Sequence, residues 1–109
     1  MRLFQATEAL LAAFKRQPEI DALAFAGLSA YGQFIEAAER DGFTGPDIEM
    51  DPEFAERTPG WVAQADEQQL PQWLHTLIRS DRSNGDYPTA VLMACRSGAM
   101  DALVTRLAG

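Results

Sequence analysis

Apolar residues recur along most of this chain at intervals of three and four, the spacing that lines one face of an α-helix. Leu3, Leu10, Leu11 and Phe14 mark such a face in an opening segment rich in Ala, Leu, Glu and Gln. Pro18 ends it, so a helix is predicted over 3–16. The stripe continues through Ile20, Leu23, Ala24, Tyr31, Phe34, Ile35 and Ala38, interrupted by Gly27 and Gly32. Each glycine would cost about 1 kcal/mol relative to Ala in a helix interior. The pattern therefore allows one helix or two across 18–41, with a break near Gly27 to Ser29 and Ser29 as the N-cap of a second piece. Gly42 fits the left-handed position that closes a helix, and Phe43 fits the apolar contact that follows it.

Residues 44–60, TGPDIEMDPEFAERTPG, hold three prolines and five carboxylates and read as a long acidic surface loop, with Asp51-Pro52 able to start a single helical turn. Helical spacing resumes with Leu70, Trp73, Leu74, Leu77 and Ile78, which predicts a helix over 70–81 capped by Asp66 or Gln69. The stretch SDRSNGDYP is a turn carried by Asn84-Gly85, with Asp86 or Tyr87 leading into Pro88. Pro88 suits the first turn of a helix that runs through Val91, Leu92 and Cys95 to a cap at Gly98. Met100, Leu103, Val104 and Leu107 define a last helix. Val, Ile and Thr are sparse and no segment alternates for long, so no sheet is expected. The fold class is all-α: one domain over 1–109, a small bundle of four to six helices with a long acidic loop.

The segment ADEQQLPQWLHTLIRSDR, continuing to SGAMDALVTRLAG, resembles an uncharacterised bacterial domain family that carries only a domain-of-unknown-function label. In that family an acidic, leucine-rich helix ends in an Ile-Arg-x-Asp/Glu-Arg-Phe run, followed by a short helix, a Gly and a closing helix ending in Arg-Leu. The corresponding positions are Leu74, Leu77, Ile78, Arg79, Asp81, Arg82, Ser97, Gly98, Arg106 and Leu107, with Ser83 where the family usually has Phe. SAYGQFIEAAERDGF, through Phe34, Ile35, Gly42 and Phe43, is similar to its central helix and cap. The resemblance implies a helical fold and a setting in bacterial genomes and mobile elements. It implies no activity.

Composition narrows the function classes. Of 109 residues, 47% are hydrophobic and 23% charged, the balance of an ordinary globular chain. Lys15, Arg16, Asp21, Glu36 and Glu39 interrupt every apolar run that could approach a membrane span. The opening residues lack the apolar core of a signal peptide, so a cytoplasmic location is expected. The net charge of −7 disfavours phosphate backbones and anionic lipid and favours a basic protein partner. That charge lies in the first half: residues 1–60 hold five Lys/Arg against eleven Asp/Glu, residues 61–109 four against five.

Candidate chemistry is thin. His75 with Ser80 and Asp81 suggests a small hydrolase, but one helix cannot converge a nucleophile, base and orienting acid on one atom. Cys95 falls on an apolar face, where a small core residue is the expectation. With one His and one Cys, no cofactor and no metal site are expected. The carboxylates of the loop fail the calcium-loop pattern, since Pro52 and Thr58 replace its required Gly and bidentate Glu. A helix, Gly98 and a closing helix imitate a helix-turn-helix regulator, yet the last helix offers only Arg106 against Asp101, so no direct nucleic-acid contact is expected. Arg79, Asp81 and Arg82 read as structural ion-pairing groups near a helix end. The leading expectation is a non-enzymatic protein-binding domain whose acidic segment, Asp47, Glu49, Asp51, Glu53 and Glu56, meets a basic surface with Trp61 as an apolar anchor. Its sharper form is a nucleic-acid-mimicking inhibitor encoded by a phage or mobile element. A plainly solvated loop is the competing reading.

Overall fold

A computed structural model of the chain describes residues 2–85 and 88–109, and these carry helices and turns without a strand. Seven α-helices appear among them: α1 (Leu3–Arg16), α2 (Ala22–Ala26), α3 (Ser29–Arg40), α4 (Pro59–Gln64), α5 (Gln69–Ser83), α6 (Ala90–Ser97) and α7 (Ala99–Ala108). A 3-10 turn spans Phe54–Glu56. The all-α bundle is the expected class, with one or more helices beyond the expected count. The surplus comes from α2 and from α4, which starts inside the segment read as loop. Thr58 caps α4 by accepting the Trp61 N–H at 3.1 Å, and Pro59 supplies its preset φ in the first turn.

The stripe across 18–41 resolves into two helices. Asp21 caps α2 by accepting the Ala24 N–H at 2.8 Å, and the break falls one residue earlier than expected, with Leu28 extended and Ser29 already inside α3. At the far end of α3, Gly42 takes φ +80° while the Gly42 and Phe43 N–H groups donate to Glu39 and Ala38 carbonyls. This double closure needs a residue free of Cβ strain in the left-handed region. Asp41, beside it, accepts the Leu3 N–H at 2.9 Å, so the end of α3 caps the start of α1.

Asp66 and Gln69 act together at the start of α5: Asp66 accepts the Gln68 and Gln69 N–H groups, and Gln69 Oε1 accepts the Asp66 N–H. The Asp86–Tyr87 part of the expected turn lies outside the described residues. Pro88 precedes α6 by two positions, rather than opening it, and Gly98 at φ +91° closes α6 and begins α7 in one residue.

α1 packs on α3 and α7, α4 on α7, and α5 on α6. Leu3, Leu10, Phe25, Phe34, Trp73, Leu74, Ile78, Leu92, Met100 and Leu103 are the largest of the side chains sealed between them. Of the apolar stripes that predict the 70–81 helix and the last helix, Leu74, Leu77, Ile78 and Leu103 share the core, while Leu107 lies at its edge, half-buried. Lys15 pairs with Asp101 across α1 and α7, and Arg106 donates to the Val62 and Ala63 carbonyls at the end of α4. Arg82 pairs with Glu39 across α5 and α3.

Asp81 is buried among these elements. One carboxylate oxygen accepts the Tyr31 hydroxyl at 2.7 Å, and the other accepts the Ala90 N–H at 2.7 Å, so a residue of α5 caps α6 and tethers α3. Burial raises the Asp81 carboxyl above its ordinary range, outweighing the hydrogen bonds that lower it, and burial followed by Asp81 raises the Tyr31 phenol.

Two outcomes are expected from this packing. Leu74→Ala, at a site with no solvent exposure, should destabilise the fold by about 2–5 kcal/mol in chemical denaturation. Because the folded state holds the Asp81 proton to a higher pH than the unfolded chain, ionising it subtracts stability as pH rises through the raised value. Relative to Asp81→Asn, the wild type should therefore lose ground as pH rises above the ordinary carboxyl range near roughly 4; parallel stability–pH curves would remove this assignment.

Candidate functional site

The acidic segment is stitched to α5 by two consecutive polar residues, His75 and Thr76, that are buried beside the apolar stripe. His75 Nδ1 accepts the Gly45 N–H at 3.3 Å and lies 2.7 Å from Thr44 Oγ1. Thr76 Oγ1 donates to the Gln72 carbonyl at 2.7 Å and accepts the Asp51 N–H at 2.7 Å. Burial first, then Arg79 and Arg82, lower the His75 pKa, so the imidazole is held neutral where the loop meets the helix.

Asp51 overturns its expected place among exposed partner-binding carboxylates, since it is only 5% exposed. Its two oxygens take Arg57 Nε and Nη2, each at 3.0 Å, and Oδ1 also accepts the Glu53 N–H at 3.0 Å. A bidentate guanidinium and a backbone donor together satisfy a desolvated carboxylate, which is why this one of the five turns inward. Arg57 also approaches Glu53 at 3.4 Å and lies over the Trp61 ring, 4.2 Å from its centroid. Trp61 in turn packs against Trp73 with ring centroids 6.5 Å apart. Trp61 is thus half-buried, one face spent on Arg57, rather than a freely projecting anchor.

Asp47, Glu49, Glu53 and Glu56 remain exposed. Loop backbone held by α5 and by the Asp51–Arg57 clasp therefore presents four carboxylates from a fixed base. Beside it, between the 3-10 turn, α5 and α6, lies a groove of about 320 Å³ lined by Phe54, Ala55, Trp73, Leu77, Met93 and Ala94 among others.

The residues weighed for catalysis are not brought together. Asp81 spends its oxygens on Tyr31 and Ala90, and His75 spends Nδ1 on the loop. The Cys95 thiol is buried, and burial followed by Asp101 pushes its pKa up to about 12. Among the described residues, no three His, Cys, Asp or Glu side chains are placed to hold a metal ion. In α7, Ala99, Met100 and Leu103 are buried against neighbouring helices. Arg79, expected in a structural ion pair, is exposed and forms none among the described residues: its position on α5 points outside the bundle, and its charge acts on His75.

The sequence reading missed Arg57, Thr76 and Met93. A signal existed for Arg57, four residues after Glu53 and six after Asp51, at the end of a turn that folds it back. No local signal marked Met93 as one wall of a groove. Comparisons with protein-family models, characterised proteins and solved structures find no match to this chain.

If the clasp fixes the segment, Asp51→Ala should speed hydrogen exchange at the Glu53 amide and trypsin cleavage after Arg57 by at least roughly tenfold. Glu49→Gln should leave both unchanged. Equal protection in the two variants would show that α5 alone secures the loop.

Proposed function

We propose that this protein is a non-enzymatic binding domain that presents its acidic segment to a basic protein surface. The observation that carries this reading is the split among the five carboxylates: Asp51 turns inward to fix the segment, while Asp47, Glu49, Glu53 and Glu56 face solvent. Like charges held close together repel, and ordering the backbone beneath them prevents their dispersal. A cationic surface relieves that repulsion and gains from the preorganised spacing, since little entropy remains to be lost on docking. The net charge of −7 extends the attraction beyond contact range. In its sharper form the proposal is an inhibitor, carried by a phage or mobile element, whose carboxylates stand in for the phosphates of a nucleic acid on its target. That form requires binding to be mutually exclusive with DNA or RNA on the same partner.

The test is capture of a partner from host lysate, followed by association kinetics at two salt concentrations. Replacing Asp47 and Glu49, Glu53 and Glu56 by Asn and Gln should slow association and flatten its salt dependence, because exposed charges act mainly on encounter. Stability should change little, since these four are exposed and Asp51 is left in place. Unchanged association at both salts would remove the acidic segment from the mechanism.

A further inference from the structure

We infer that the groove beside the acidic segment seats one large apolar side chain of a basic amphipathic helix, whose flanking Lys or Arg side chains meet the carboxylates at the rim. This rests on the docking role proposed above and adds the contact that would give it specificity. Three features of the groove point to that occupant.

The first is its lining. Trp73, Leu77 and Ala94 form a buried apolar floor, and Met93, 55% exposed, is one of three large apolar side chains left in solvent among the described residues. An unbranched thioether at such a position adapts its shape to an incoming side chain. The second is size: about 320 Å³ is at the lower end for a ligand pocket and suits one or two side chains.

The third is charge. Arg57 is the one cation among the lining residues, and Asp51 at 3.0 Å and Glu53 at 3.4 Å already offset it. Glu53 and Glu56 flank Phe54 and Ala55 of the 3-10 turn, which line the groove together with Met93, and both carboxylates are exposed. The rim is therefore negative around an apolar floor. An apolar anchor with cations one turn to either side complements both features at once, which is the helix-in-groove mode of recognition.

The probe is a fluorescein-labelled peptide of about four helical turns built from Lys and Ala, with Leu on one face. A control of equal charge has Ala in place of each Leu. The wild type should bind the Leu peptide at least about tenfold more tightly than the control. Amide shifts on binding should cluster at Phe54, Ala55, Met93 and Ala94. Met93→Ser, at an exposed position, should erase most of the preference, and Ala55→Trp, which adds bulk to the groove from the 3-10 turn, should do the same by an independent route. The variant lacking the four exposed carboxylates should weaken both peptides in parallel and keep their ratio. Equal binding of Leu and control peptides by the wild type, or a preference that survives both groove variants, overturns the groove assignment. So does a chain that self-associates through the groove, seen as dimers that Met93→Ser dissolves. If instead the carboxylate-neutralised variant binds as tightly as the wild type, it is the acidic docking surface that fails.

Discussion

Three helices meet at the carboxylate of Asp81, and their relative placement depends on its being satisfied there. An ionisable group removed from water needs a donor for each oxygen, and the Tyr31 hydroxyl of α3 and the Ala90 N–H of α6 provide them. The bonds run in both structural directions. Asp81 gains partners for its oxygens, while α6 gains the N-terminal acceptor that no residue of its own supplies. Both floor and edge of the groove lie on the elements fixed in this way, α5 and α6. Among the described residues no buried side-chain nitrogen or oxygen lacks a partner, so the polar interior is closed rather than left with a group in search of a ligand.

A second buried carboxylate, Asp51, does for the loop what Asp81 does for the helices. Both accept from side chain and backbone together, and both join segments that apolar packing alone would leave loosely oriented. The difference lies in the partner. Tyr31 is neutral, so Asp81 keeps a desolvation penalty that shows as a raised pKa, whereas Asp51 faces the guanidinium of Arg57. The negative potential of the segment therefore comes from the four carboxylates at its surface, with Arg57 and Asp51 compensating each other beneath.

Much of the helical framework was legible because it depends on local rules. The 3–16 helix, the Gly42 closure and the Gly98 joint follow from apolar spacing and from backbone conformations that glycine tolerates. The 70–81 helix was placed to within two residues, and its two alternative caps proved to be one reciprocal pair. α4 escaped because six residues opened by Thr-Pro-Gly carry turn chemistry at the same positions as cap chemistry. The inward turn of Asp51 could not be read at all. Five carboxylates in one segment look alike by composition, and the choice among them is made by Arg57 and Thr76, the latter 25 residues away along the chain. The same holds for Asp81, whose identity as a cap rather than an ion-pair member depends on Tyr31, 50 residues earlier.

The packing of α1 against α7 has a further consequence for how the chain is made. A ribosome releases α1 some 80 residues before α7, so the contacts between these two helices form only after the intervening chain has been made. α3 can engage α1 early, since Asp41 is already available to close its first turn. The remaining surface must wait for α7, and the Lys15–Asp101 and Arg106–α4 contacts form only at that point. Vectorial synthesis thus orders these contacts, making those of α1 with α3 available before those with α7.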